Sequence, residues 1–169
     1  MNDLILIRPT GRDDLYSVAV FLRDCWQTAY DSIVAKRDLD AWSVKNRHKG
    51  MLARYDEASS ECLLMLEAGR LIGVTVFGKS LTEGYEEDGE IVALYLCQDS
   101  IGKGYGHRLF VKAEQSLAAK GYAHFVLDVL ARNARGLRFY LAHGYEKVAD
   151  RSIRLGENEY PLVVLRRTG

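Results

Sequence analysis

The stretch LYLCQDSIGKGYGHRLF, running from Leu94 to Phe110, changes character twice within seventeen residues. It opens inside an apolar run, Ile91 to Cys97, that is apolar on both faces and so reads as a central strand. Gly102, Gly104 and Gly106 then fall at alternate positions and give up their side chains. Beyond them Leu109, Phe110, Ala113, Leu117 and Ala118 recur at helical spacing, and Gly121 supplies a C-terminal cap. Ala123 to Leu130 follows as another buried strand. Strand, glycine loop, helix and strand in that order predict a right-handed βαβ unit with parallel strands.

Outward from this unit the other elements read as follows. Leu4 to Arg8 suggests an opening strand. From Asp13, the apolar positions Leu15, Val18, Ala19, Leu22, Trp26 and Ala29 trace one face of a helix. A second helical region spans Asp38 to about Tyr55, with Gly50 as a weak point inside it. Cys62 to Leu66 and Leu71 to Phe77 flank Glu67-Ala68-Gly69-Arg70, which predicts a hairpin. An acidic segment, Glu83, Glu86, Glu87, Asp88 and Glu90, leads into the central strand. Toward the end, Ala134 to His143 is helical and stops at Gly144. Tyr145 to Leu155 and Tyr160 to Arg166 form a hairpin turning at Gly156-Glu157-Asn158. The sum is a mixed α/β (α+β) architecture, mostly antiparallel around one parallel crossover.

Length and composition bound the rest. A chain of 169 residues suits one well-cored domain. There are only two prolines, Pro9 and Pro161, and no linker or repeat stands out, so residues 1–169 are expected to form one domain. Lys plus Arg equals Asp plus Glu, which argues against a dedicated nucleic-acid binder. No apolar run approaches the roughly 20 residues that span a bilayer, and the start lacks the pattern of a signal peptide. Cys25, Cys62 and Cys97 lie far apart, with no C-x-x-C pair, so neither a disulfide framework nor a metal site is expected. A reducing, cytoplasmic setting is the default expectation.

A loop between a strand and a helix N-terminus points several unpaired N–H groups at one spot, and the helix dipole adds positive charge there. Glycines let an anion approach that backbone closely. The spacing is not a Walker loop, and His107 stands where a dinucleotide fingerprint needs its third glycine. A protein that binds NAD or ATP is therefore disfavoured. A glycine turn with no ligand is the alternative that the loop alone leaves open.

Together with LDVLARNARGLRFYLAHGYEKV (residues 127–148), this stretch resembles the acyl-CoA-binding core of the GNAT superfamily of N-acetyltransferases. Gly104 and Gly106 match the two glycine positions of its Arg/Gln-x-x-Gly-x-Gly/Ala loop, while Ile101 occupies the Arg/Gln place and Gln98 a place where proline is frequent. Asn133, Tyr140, Gly144 and Tyr145 match its later N-x-x-A-x-x-x-Y-x-x-x-G-F pattern, with Gly136 in place of the alanine. The resemblance covers Glu90 to about Val148. It implies a mixed, mostly antiparallel sheet with helices on both faces, acetyl-CoA as cosubstrate, an amine as acceptor, no metal, and a homodimer as a common arrangement.

The same resemblance implies roles for particular residues. The pyrophosphate of coenzyme A would lie on the N–H groups of the loop Ile101, Gly102, Lys103, Gly104, Tyr105 and Gly106. The pantetheine arm would run beside Leu94, Tyr95 and Leu96 where the central strands splay, and Asn133 would hydrogen-bond it. Tyr140 would be the general acid for the leaving thiolate and would also touch the cofactor. Backbone N–H groups near Leu96 would polarise the thioester carbonyl.

The amine must lose a proton before it attacks, which costs about 4 to 5 kcal/mol at neutral pH for an amine of pKa near about 10.4. A carboxylate can accept it. Glu90 is the first candidate, with Glu83, Glu86 and Glu87 as substitutes or as a solvated charge run. The acidic segment favours a cationic acceptor. Cys97 has no partner histidine and reads as a small packing residue. His107 is left between helping a phosphate and capping a turn. His124 and Asp128 alternate on one strand without further metal ligands. Trp26 and Tyr30 either pack in the core or line an acceptor pocket. A coenzyme A-binding sensor without turnover remains the second functional reading.

Overall fold

A computed structural model describes residues 5–169. Leu4, placed in the opening strand by the sequence, lies outside the described residues. Seven strands form one sheet in the order β1-β2-β3-β4-β5-β7-β6. They are β1 (Ile5–Pro9), β2 (Ser60–Glu67), β3 (Arg70–Lys79), β4 (Gly89–Leu96), β5 (His124–Leu130), β6 (Glu146–Leu155) and β7 (Asn158–Thr168). The pair β4–β5 runs parallel and every other pair antiparallel. The helices are α1 (Leu15–Ala29), α2 (Lys36–Asp40), α3 (Val44–Asp56), α4 (Tyr105–Ala119) and α5 (Ala134–Ala142).

The single helical region expected over Asp38 to Tyr55 is two helices. Ser43 breaks it: its backbone is extended and its hydroxyl accepts the Asn46 N–H, so α3 starts there with a side-chain cap. Gly50 sits inside α3 without interrupting it.

Alternation along β2 sorts the core onto both faces of the sheet. Leu63 and Met65 point to the side covered by α4, where Leu109, Phe110, Ala113 and Leu117 are buried against them. Cys62 and Leu64 point to the other side and meet Val18 and Leu22 of α1. Phe110 is fully buried among Phe139, Tyr140 and Tyr145, a burial worth about 1.5–3 kcal/mol for the one side chain. α5 is thereby keyed to α4.

Two irregularities position the site. Opposite Val76 and Phe77, strand β4 carries an extra residue, since Val76 pairs with Ala93 and Phe77 with Ile91. Val92 is left as the bulge, bending β4 away from its parallel neighbour. β4 and β5 then pair only at Gly89–Phe125 and Glu90–Val126. Past that point the sheet opens.

Candidate active site

The gap between β4 and β5 widens into a cleft of about 970 Å³, walled by α1 and the turn after it, by β4, by the glycine loop and by the start of α5. Cys97 N–H bonds to Ile72 O, so alternate residues of β4 turn their amides to β3. Leu94 and Leu96, between them, face the gap, where β5 offers no ladder partner. The Leu96 carbonyl is met only by the Cys25 thiol, at 3.7 Å. These free backbone groups form a strand edge that a ligand could extend.

At one end of the cleft stands the glycine loop. Gly102 (φ +82°) and Gly104 (φ +80°) are both left-handed, and Gly104 is the N-cap of α4. Nothing lies within 4 Å of where a Cβ would be at either position. The glycines are thus required by backbone shape, and the space over them is open. Ile101 and Gly106 also line the cleft. The side chains of two loop residues point away from the cleft, leaving only their backbone N–H groups to serve a ligand there. Lys103 is exposed outside the walls, and the Tyr105 hydroxyl donates to Glu67.

Tyr140 lies in the wall beside β4. Its ring packs on Phe110, Phe139 and Tyr145, and its hydroxyl makes no hydrogen bond to another described residue. Burial pushes the phenol well above its ordinary value, so it stays protonated across the neutral range. Asn133 also lines the cleft, but its amide oxygen caps α5 by accepting the Gly136 N–H at 3.0 Å. A Cβ on residue 136 would stand 2.6 Å from the Asn133 amide nitrogen, which accounts for glycine there. The Tyr95 side chain turns toward α1, where its hydroxyl and that of Tyr30 lie 2.8 Å apart. Burial raises the Tyr30 phenol, against the opposite pull of Tyr95 and Asn133. Tyr30, which the sequence left between core and pocket, is both buried and part of the cleft wall. Trp26 stays in the core beside it, edge-on to its ring.

The carboxylates divide differently from the sequence reading. Glu90 is buried behind the cleft wall, its Oε2 accepting from the Ser80 hydroxyl at 3.0 Å and the Leu81 N–H at 2.6 Å. Glu86 accepts the Gly84 N–H within its own turn, and Asp88 is locked by two bonds from Arg166. Glu83 and Glu87 are exposed. Asp128 of β5, by contrast, opens into the cleft, whose walls also hold Asp24 and Asp31. Partial burial, reinforced by the nearby Glu90 charge, pushes its acid up, and Arg151 pulls the other way. From sequence, Asp128 carried only an alternation signal; its neighbour Glu90 comes from the parallel β4–β5 pairing.

The cleft thiols are poor nucleophiles. Burial pushes Cys25 up to about 12, and Cys97 is raised for the same reason. Charge in the cleft is polarised. His107, Arg132 and Arg135 belong to its walls along with the loop, while Asp24, Asp31 and Asp128 belong to the other elements. No group of three or more His, Cys, Asp or Glu side chains is placed to hold a metal among the described residues.

A parallel pair opened by a bulge, with a glycine loop at one end and a protonated phenol in the wall, makes up the cleft, and likeness to known proteins places the chain among acyltransferases. The chain belongs to the acetyltransferase (GNAT) family, whose model matches residues 19–145. It is 27% identical over 158 residues to the uncharacterized N-acetyltransferase YuaI of Bacillus subtilis (strain 168), covering 87% of this chain and 83% of that one. Among solved structures, the fold is shared with the PaiA N-acetyltransferase of Thermoplasma acidophilum in complex with coenzyme A, at TM-score 0.78 and 20% identity over 98% of this chain and 99% of that one. It is shared as well with YncA of Salmonella typhimurium with its cofactor acetyl-CoA, at TM-score 0.72 and 18% identity, covering 98% and 94%.

Proposed function

We propose that the chain transfers an acetyl group from acetyl-CoA to a primary amine by direct attack within a ternary complex. The observation that carries this reading is the row of unpaired Leu94 and Leu96 backbone groups in the β4–β5 gap, leading from the glycine loop to the free hydroxyl of Tyr140. The loop N–H groups from Gly102 to Gly106 receive the pyrophosphate, and the pantetheine arm extends the β4 edge. Tyr140 donates its proton to the departing thiolate.

Asp128, rather than Glu90, accepts a proton from the bound ammonium, directly or through a water, and so frees the amine lone pair for attack. It faces the cleft, and its raised pKa brings it closer to the working pH. Glu90 is held by Ser80 and Leu81 and acts on the reaction through its charge on Asp128. The acidic side chains Asp31 and Asp128 suit a cationic acceptor, such as a di- or polyamine or a peptide amine.

The test measures acetyl-CoA binding and turnover over an amine panel for the wild type, Tyr140→Phe and Asp128→Asn. Turnover is expected to fall about 10²-fold or more in each variant, the usual contribution of a positioned acid or base, with acetyl-CoA affinity retained. Wild-type binding without turnover on any amine would overturn transfer and leave a coenzyme-binding module.

A further inference from the structure

His107 and His143 are 36 positions apart in the chain, yet His107 Nδ1 and His143 Nε2 are 2.8 Å apart, and His143 Nδ1 lies 2.7 Å from the Phe139 carbonyl oxygen. A carbonyl oxygen only accepts, so His143 Nδ1 carries a hydrogen. In the uncharged pair, His143 Nε2 is then a lone pair and His107 must donate from Nδ1. That leaves His107 Nε2 as a bare acceptor. His107 lines the cleft in the first turn of α4, at the glycine loop. One added proton changes this. Whether the charge settles on His107 or on His143, the hydrogen bonds require an N–H at His107 Nε2.

We infer that the His107–His143 pair is a proton-coupled phosphate ligand: it takes up a proton when acetyl-CoA binds and donates His107 Nε2–H to a phosphate oxygen. The inference rests on the coenzyme reading of the loop and goes beyond it. The pair is fixed in place by aromatic neighbours, since the His143 ring lies against Phe110 and Phe139. The charged groups around the pair are Arg132 and Arg135 at the start of α5, Lys103 and Arg108 flanking His107 in the chain, and Arg167 of β7, whose Nη1 donates to the His143 carbonyl at 3.1 Å. All are cationic. None of them offers the pair an anion, so an incoming phosphate is the group that would stabilise an added proton.

Calorimetric titration of acetyl-CoA in buffers of differing ionisation enthalpy measures the proton directly. At about pH 8 the coenzyme phosphates are fully ionised, so proton uptake must come from the protein. The wild type is expected to take up a substantial fraction of one proton and to lose up to about tenfold in affinity per pH unit there. His107→Asn is expected to abolish the uptake. His143→Leu frees His107 to carry its hydrogen on Nε2 while uncharged, so it should bind acetyl-CoA with uptake reduced and a flatter pH dependence. Acetyl-CoA binding with no proton uptake by the wild type, or with the same uptake in all three proteins, would overturn the inference and leave acetyl transfer standing. Failure of the wild type to bind acetyl-CoA would overturn both.

Discussion

At Asp128 a carboxylate opens into a cleft while a second, Glu90, is held behind the wall by Ser80 and Leu81. Two like charges so arranged separate in role, because the one nearer the substrate is forced upward and becomes the better proton acceptor. The sign of the effect can be followed. In the proposed role a base works ionised, so kcat/KM is expected to rise as pH climbs through the Asp128 pKa, which lies above the ordinary value of an aspartate. Removing the Glu90 charge in Glu90→Gln takes away one of the two causes of the shift. The acidic limb of the profile is then expected to move to lower pH, with burial still holding it above the ordinary value. A limb that stays in place would show that Glu90 does not act on the base. Glu90 was legible as a candidate because it opens an apolar strand after an acidic run. Asp128 was not, because its surroundings depend on which strands lie side by side.

At the scale of elements, the strand, loop and helix around residues 94–110 were readable because glycine positions and apolar periodicity are local signals. Gly104 shows why the reading extends to function. Its left-handed backbone is what lets α4 begin under an open space. Gly104→Asp puts a strained residue there, at a cost of about 1–2 kcal/mol, and aims a carboxylate into the anion site. The variant is expected to stay folded by circular dichroism, with a lower melting temperature, and to lose measurable acetyl-CoA binding. Undiminished binding would remove the loop from the coenzyme site. Two features at this scale escaped the sequence. The Val92 bulge depends on register against β3, which no single-strand pattern records. The break at Ser43 was hidden because Ala41, Trp42 and Val44 around it continue a helical pattern, and a serine suits a helix surface as well as a cap.

For the whole molecule, formal charge sums to +0, which described the protein's surface but not its cleft. Asp88 is neutralised by Arg166, and Glu86 is absorbed by its own turn, so much of the acidic segment that pointed to a cationic acceptor is spent on structure. Asp24 is likewise paired with Arg23, so the acidity left for the proposed cationic acceptor comes from Asp31, in the turn after α1, and Asp128 of β5. Arg132, Arg135 and His107 supply the opposite sign in the same cleft. Such a cleft suits an anionic coenzyme and, on the proposed reading, a cationic acceptor, and both attractions act through water over distances that salt shortens. The Debye length falls from about 30 Å at about 0.01 M to about 3 Å at about 1 M ionic strength. Across that range KM is expected to rise for acetyl-CoA and for a diamine acceptor, with kcat little changed. A monoamine of the same length carries no second charge for the acidic residues to hold, so its KM should rise less than that of the diamine. Equal salt dependence for the two amines would mean that Asp31 does not contact the acceptor, and that the cleft selects it by shape alone.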